Sequence, residues 1–115
     1  MTRSSGILLP VSALPSPCGI GDLGTAAREF IDFLAAAGQR HWQILPLNPP
    51  DSAHSPYLSA STFAGSTDLL SPEPFMARGA LTLDEVLSVD WGGDPMRVDY
   101  GRVHAGKTAL WAAAF

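Results

Sequence analysis

The feature that most constrains the fold is an amphipathic helical pattern set between two short apolar runs, each of which ends at a proline. The first run covers residues 6–9 and the second covers residues 42–45. Both are too short for a helical repeat, so each predicts a buried strand. The apolar residues between them recur at helical spacing: Leu23, Ala26, Ala27, Phe30, Phe33, Leu34 and Ala37. The order strand, helix, strand predicts two parallel strands joined by a crossover, which makes the fold class α/β.

Capping residues and loop length extend this outline. The crossover helix should start near residues 22–25 and end before Gly38, which suits the left-handed position just past a helix end. Residues 47–75 show little periodicity, so we expect mostly loop there, with one helical turn near residues 60–64. A loop of this length is usually functional.

Two further helices are expected in the last third of the chain. Thr82 and Glu85 have the spacing of a capping box and predict a short helix that ends before Trp91. A last helix should run from about Gly106 to Phe115. Because no Gly, Asn or Pro ends it, the sequence is expected to stop within a helix.

Composition limits the class of protein. The 115 residues are 46% apolar and 16% charged, which suits one small folded domain, about half of the roughly 200 to 250 residues of a complete barrel enzyme. A net charge of −4 leaves no basic stripe for a nucleic acid. No apolar run reaches the length of a signal peptide or a membrane span. We therefore expect a soluble, cytoplasmic protein with neither a nucleic-acid nor a membrane partner.

The segment Gly19–Gly24 matches the G-x-G-x-x-G pattern of dinucleotide-binding loops and lies between a predicted strand and a predicted helix. In those loops the first glycine follows the strand directly, whereas a proline-rich stretch from Pro10 to Cys18 intervenes here. Asp22 would also place a carboxylate beside the phosphates. The pattern therefore favours glycines that shape a packed loop, and nucleotide binding is kept as an alternative.

The sequence Ser55-Pro56-Tyr57 follows the second predicted strand, at the end of a parallel sheet where ligands bind. Proline fixes the backbone, serine offers a hydroxyl, and tyrosine offers a flat apolar face with a polar tip. This combination can stack on a sugar ring and bond its hydroxyls. A tyrosine in a proline-rich loop can equally be a packing residue.

Other polar residues give weaker signals. His54 beside Ser55 is not expected to form a nucleophile and base pair, because adjacent side chains in an extended loop point apart. His41 is placed beside a buried strand and His104 in a polar loop. The three histidines and Cys18 show no metal-ligand spacing, and the cysteine is expected to be a small buried or loop residue. Three aspartates are expected in loops on or near the ligand side, without assigned acid or base roles: Asp22, Asp51 and Asp68.

A series of short blocks in a fixed order is similar to one known family. The blocks are Ser5–Leu9, Ser12–Pro15, Gly19–Gly24, Phe30–Gly38, Trp42–Leu47, Ser55–Tyr57, Ser61–Gly65 and Val98–Gly101 followed by Lys107. Together they resemble the amino-terminal segment of the 4-α-glucanotransferases called amylomaltase or disproportionating enzyme. The resemblance covers nearly the whole chain.

The resemblance implies part of a (β/α)₈ barrel. Residues 1–47 would be its first βαβ unit, residues 48–75 a substrate-side loop, and residues 76–115 the start of an inserted helical subdomain. It implies transfer of α-1,4-glucan segments between maltooligosaccharides with retention, without cofactor or metal. Tyr57 would stack on the donor glucose, with Ser55 as its companion. The family's catalytic carboxylates lie beyond the matched stretch, so no catalytic residue is assigned and this chain alone is expected to be inactive.

Some positions depart from the family pattern. Leu58 stands where glutamine is common, and Ser66-Thr67 replaces a usual Asn-Pro. Ser52 stands where some members place a tyrosine for a second, remote glucan site. The departures put that remote site in doubt. Two other interpretations stay open: a stand-alone carbohydrate- or nucleotide-binding module, and a degraded gene product without activity.

Overall fold

The computed structural model describes residues 1–115 and contains one sheet of two parallel strands. Strand β1 is Gly6–Leu8 and strand β2 is His41–Gln43, with Gly6 opposite His41 and Leu8 opposite Gln43. The Leu9 amide extends the ladder by donating to the Gln43 carbonyl at 3.0 Å. The expected parallel α/β unit is therefore present, although β2 is centred earlier than residues 42–45.

Helix α1 connects the two strands and spans Thr25–Ala36. Its apolar stripe buries Ala27 and Leu34, and Phe30 packs edge-on against Trp42 of β2 with ring centroids 5.0 Å apart. Gly38 adopts φ +69°, which a residue without a Cβ reaches at no steric cost. The predicted helix and its glycine stop are confirmed.

The expectation that both strands are buried is wrong. All three residues of β1 are exposed, and Ile7 keeps 42% of its surface accessible. Trp42 is the half-buried residue of β2, and its indole nitrogen donates to the Leu9 carbonyl at 2.8 Å. In a two-stranded sheet each strand has one neighbour, so the apolar residues of β1 remain in contact with water.

Three helices follow the long loop. They are α2 (Glu73–Ala77), α3 (Leu83–Leu87) and α4 (Tyr100–Ala114). The capping box predicted for α3 is confirmed: the Glu85 amide donates to Thr82 Oγ1, and the Thr82 amide donates to Glu85 Oε2. The Thr82 amide and the Thr82 hydroxyl both donate to the Glu85 carboxyl, and these two hydrogen bonds hold its pKa below its usual value. No helix has both the length and the apolar character needed to cross a membrane.

Two other helix predictions are wrong. The expected turn near residues 60–64 does not form, and one 3₁₀ turn lies instead at Thr67–Leu69. Helix α4 begins at Tyr100, well before Gly106, because the Asp99 side chain accepts a hydrogen bond from the Arg102 amide and caps it. Gly106 lies inside the helix, where a Cβ would approach Val89 Cγ1 to 2.4 Å.

The apolar core is divided into two clusters. One cluster packs beside the sheet and contains Val11, Leu14 and Ala27. The other joins the glycine-rich loop to the later helices and contains Cys18, Leu81, Val86, Leu110 and Trp111. The segment Gly19–Gly24 runs between the two clusters, so its packing decides how the α/β unit meets α4.

Candidate functional site

The main candidate site is a cleft of about 560 Å³, open to solvent, at the carboxyl ends of β1 and β2. Its walls come from Pro10–Ser12 after β1, from Ile20, from Leu45–Asn48 after β2, and from the long loop together with the start of α4. The last group contributes His54, Pro56, Asp68 and Tyr100. Ligand sites of parallel α/β sheets lie at this end of the strands, so the position predicted from the sequence agrees with the cleft.

The long loop is held in place by side chains that bond to its own backbone. Asn48 Nδ2 donates to the carbonyls of Ser61, Thr62 and Ala64 at 3.0, 2.8 and 3.1 Å. The Asp51 amide donates to the Leu58 carbonyl at 2.8 Å and closes a smaller loop, residues 51–58. The loop thus has a defined shape without helix or strand.

Asp51 serves the shape of this smaller loop. Its Oδ1 accepts hydrogen bonds from the amides of Ala53 and Ser55, at 3.0 and 3.4 Å. This arrangement is an aspartate turn, which stabilises a reversal of the backbone. The expected loop position of Asp51 is confirmed, and its carboxylate is engaged within the turn.

Ser55 and Tyr57 lie together near the tip of loop 51–58. Ser55 is half-buried, and its Oγ accepts a hydrogen bond from the Tyr57 amide at 3.4 Å. The Tyr57 side chain is 71% exposed, and it projects from the loop instead of lining the cleft. Most of the Tyr57 surface is therefore accessible to a ligand.

His54 has an unusual environment that the sequence did not indicate. Its backbone has φ +57°, the one positive φ outside glycine, and its ring stacks on Tyr100 with centroids 4.4 Å apart and planes 8° apart. The His54 ring stacks on Tyr100, whereas the Ser55 hydroxyl accepts a hydrogen bond from the Tyr57 amide. The two side chains therefore do not form a nucleophile and base pair, as expected. The sequence gives no local signal for this contact, because His54 and Tyr100 are 46 positions apart.

Asp68 and His104 form a polar pair at the edge of the cleft. His104 Nδ1 lies 3.1 Å from Asp68 Oδ1, and the carboxylate is largely shielded from solvent. Asp68 is the one carboxylate among the residues that line the cleft. His104 lies in α4, so its expected place in a polar loop is wrong; the helix begins earlier than the sequence indicated.

The glycine loop Gly19–Gly24 is filled by the protein itself. A Cβ on Gly21 would lie 2.1 Å from the Val11 carbonyl oxygen, and one on Gly24 would lie 2.5 Å from Ser71 Oγ. The amides of Gly21, Leu23 and Gly24 already donate to protein oxygens at 3.0–3.1 Å. With these three amides engaged and the space beside Gly21 and Gly24 filled, the structure favours the packing interpretation over nucleotide binding.

The start of α1 is also occupied. Glu73 Oε2, from α2, accepts hydrogen bonds from the Thr25 amide and hydroxyl at 2.9 and 2.7 Å. A carboxylate therefore occupies the position that a pyrophosphate would take at the helix N-terminus.

Asp22 belongs to a buried ion pair and not to the ligand side, which corrects the sequence-based expectation. Lys107 Nζ lies 3.5 Å from Asp22 Oδ2 and donates to the Leu70 carbonyl, and the lysine side chain is 0% exposed. Burial raises the pKa of Asp22, while Lys107 acts to lower it. The spacing of Val103, Lys107, Leu110 and Trp111 on one helix face is the signal that could have located this lysine.

Cys18 is buried beside this ion pair. Burial raises the pKa of its thiol, and the nearby Lys107 only partly opposes that effect. A thiol held protonated in an apolar site is a poor nucleophile, so the expectation of a small buried residue is confirmed.

No group of three or more His, Cys, Asp or Glu side chains is arranged to hold a metal ion.

Comparison with known proteins identifies the class. The family model described as 4-alpha-glucanotransferase matches residues 9–115, so the chain belongs to that family. It is 43% identical over 115 residues to a 4-alpha-glucanotransferase of Thermus thermophilus, covering 100% of this chain and 22% of the relative. It is 42% identical over 88 residues to the chloroplastic/amyloplastic 4-alpha-glucanotransferase of Solanum tuberosum, covering 73% of this chain and 15% of the relative.

A solved structure agrees with this assignment. The structure of amylomaltase from Streptococcus agalactiae in complex with acarbose matches with a TM-score of 0.94 and 35% identity, covering 98% of this chain and 23% of that protein. The chain thus spans about a fifth of the length of the relatives that it matches. The family resemblance found in the sequence is confirmed.

Proposed function

We propose that these residues are the amino-terminal part of an amylomaltase-type 4-α-glucanotransferase, which transfers α-1,4-glucan segments between maltooligosaccharides by a retaining double displacement. The observation that carries the proposal is the match of nearly the whole chain to an amylomaltase whose structure contains acarbose. The cleft at the carboxyl ends of β1 and β2 supports it, since that is the ligand end of a (β/α)₈ barrel.

Within this enzyme Tyr57 would form an aromatic platform for the donor sugar. Its exposed ring can cover the apolar face of a glucose unit, and its hydroxyl can bond to a sugar hydroxyl. Ser55 would fix the backbone at Tyr57 through its hydrogen bond to the tyrosine amide, and its hydroxyl proton remains able to donate to substrate. Both residues would bind and orient substrate.

The bond-breaking groups would come from the remainder of the enzyme. Retention needs one carboxylate to attack the anomeric carbon and one carboxylic acid to protonate the departing 4-oxygen, with the two carboxyl groups about 5 Å apart. An acceptor 4-hydroxyl then displaces the enzyme carboxylate and returns its proton to the acid. The cleft of this chain is lined by a single carboxylate, Asp68, so the pair cannot be assembled from its lining residues.

The organisation expected from the sequence fits this proposal. Residues 1–47 would form the first βαβ unit of the barrel, residues 48–75 the substrate-side loop, and residues 76–115 the beginning of an inserted helical subdomain. A cytoplasmic location stays a prediction, since the potato relative is described as chloroplastic/amyloplastic.

Maltotriose disproportionation tests the proposed function. We expect the protein from the complete reading frame that contains these residues to convert maltotriose into glucose and longer oligomers, and the 115-residue chain to form neither. Products are separated by chromatography over time. Absence of both products from the longer protein contradicts the transferase proposal, and turnover by the 115-residue chain contradicts the claim that its residues lack the catalytic pair.

A further inference from the structure

We propose that His54 is a positioning residue, which fixes loop 51–58 to the start of α4 by stacking on Tyr100 and thereby sets where Tyr57 stands for substrate. The role in substrate binding rests on the proposed function. The stack itself is a property of the fold and can be tested without any activity.

The backbone of His54 indicates that its ring is held by a specific contact. A φ of +57° places a residue other than glycine in a sparsely populated region of backbone conformation. Glycine or asparagine adopts this conformation more readily. The nearly parallel stack on Tyr100, with centroids 4.4 Å apart, is an interaction that neither of those side chains can make.

The stack joins two parts of the protein that are otherwise held separately. Loop 51–58 is closed on itself by the Asp51 amide and the Leu58 carbonyl. Helix α4 is anchored further along its length by Lys107, which donates to the Leu70 carbonyl, and by the Trp111 indole, which donates to the Thr67 carbonyl at 3.1 Å. No hydrogen bond connects residues 51–58 to α4, so the aromatic stack is the directional contact between them.

This connection bears on Tyr57 because the tyrosine is three residues from His54 on the same closed loop. Its side chain is exposed and is not among the residues that line the cleft, so its position depends on the loop that carries it. Both members of the stack also line the cleft. A loop that swings away from α4 would therefore change the cleft wall and the location of the Tyr57 ring together.

Four variants separate the stack from the backbone conformation. His54→Asn keeps a residue that tolerates the positive φ but removes the ring. Tyr100→Leu removes the partner, and Tyr100→Phe keeps a ring and should rescue the contact. Ser52→Ala is the matched control, since Ser52 is an exposed side chain of the same loop.

Hydrogen exchange of residues 51–58, in the protein from the complete reading frame, is the primary measurement. We expect exchange about 2- to 10-fold faster in His54→Asn and in Tyr100→Leu, which corresponds to the strength of one aromatic pair. The double variant His54→Asn/Tyr100→Leu should exchange little faster than either single variant. Tyr100→Phe and Ser52→Ala should exchange at the wild-type rate. Unchanged exchange in His54→Asn and Tyr100→Leu overturns the proposal, and so do fully additive effects.

Kinetics with maltotriose test the consequence for substrate. We expect the KM for maltotriose to rise about 2- to 10-fold in His54→Asn and in Tyr100→Leu, with a smaller change in kcat. Tyr100→Phe should have the wild-type KM. Faster exchange with unchanged KM overturns the positioning role. If no variant and no wild-type protein turns over maltotriose, the transferase proposal fails, while the exchange data still decide whether the stack holds the loop.

Discussion

Replacing Lys107 with methionine is expected to lower the free energy of unfolding by about 3 to 5 kcal/mol, a large share of the total stability of a small protein. Methionine keeps the length of the side chain but removes the ammonium group that pairs with Asp22 and donates to the Leu70 carbonyl. The Asp22 carboxylate would then be buried without a cation. Denaturant unfolding followed by circular dichroism measures the loss.

Matched variants show whether the loss belongs to the ion pair. Arg97→Met removes the same charge from an exposed arginine and should change stability by less than about 0.5 kcal/mol. In a double-mutant cycle, Asp22→Asn should be much less harmful on the Lys107→Met background than on the wild type, because the carboxylate has then lost its partner. A Lys107→Met protein as stable as Arg97→Met would show that the pair is not a structural link.

The pH dependence of this effect has a definite sign. Burial raises the pKa of Asp22 above 3.8, and Lys107 opposes the rise. Without the lysine the pKa should rise further, so the native state takes up a proton at a higher pH than the unfolded chain does. A native state that binds more protons gains stability as the pH falls. The stability gap between Lys107→Met and the wild type should therefore narrow from about pH 7 to about pH 4.

Tyr57→Ala is expected to lower kcat/KM for maltotriose about 10- to 100-fold in the protein from the complete reading frame, since an aromatic side chain covered by a ligand contributes about 1.5 to 3 kcal/mol. The substitution should leave the fold of these residues intact because Tyr57 is 71% exposed. Tyr57→Phe should retain most of the activity through its ring. Initial rates over a range of maltotriose concentrations provide the measurement.

Phe63→Ala is the control for Tyr57→Ala. Phe63 lies on the same long loop and its side chain is 99% exposed, so the substitution removes an equally large aromatic group. It should leave kcat/KM within about twofold of the wild type. Equal losses of kcat/KM in the two variants would show that substrate binding depends on the apolar surface of the loop and not on Tyr57 specifically. An unchanged kcat/KM in Tyr57→Ala would exclude Tyr57 as a sugar platform.

The α/β unit could be predicted from the sequence because its signals are local. Proline ends each apolar run, the apolar residues of α1 have helical spacing, and Gly38 marks the end of that helix. The capping box of α3 is also complete within a few residues. Local signals do not show how many strands lie beside a given strand. The exposure of Ile7 and the rest of β1 therefore could not be predicted from them.

The start of α4 could not be predicted because the first part of the helix contains glycines, which have low helix propensity. Gly101 and Gly106 are weak helix formers, so local propensity predicts a helix start at Gly106 instead of Tyr100. In the structure Gly106 lies where Val89 and Trp91 pack against the helix, so a larger residue would not fit. Tertiary packing, and not local propensity, determines the residue there.

The candidate site was predicted in part. The position of the ligand end follows from strand order, whereas the roles of Ser55 and Tyr57 stay predictions that rest on the family resemblance. The ion pair of Asp22 with Lys107 and the stack of His54 on Tyr100 join residues 85 and 46 positions apart. Contacts between such distant positions leave little trace in local spacing, and Asp22 was accordingly placed on the wrong side.

A crystal structure of the protein from the complete reading frame with acarbose bound tests whether this cleft and Tyr57 bind the glucan. We predict acarbose in the cleft at the carboxyl ends of β1 and β2, with the Tyr57 ring within about 4 to 4.5 Å of a sugar ring. Acarbose bound elsewhere, or bound in that cleft with the Tyr57 ring still in solvent, would contradict the account.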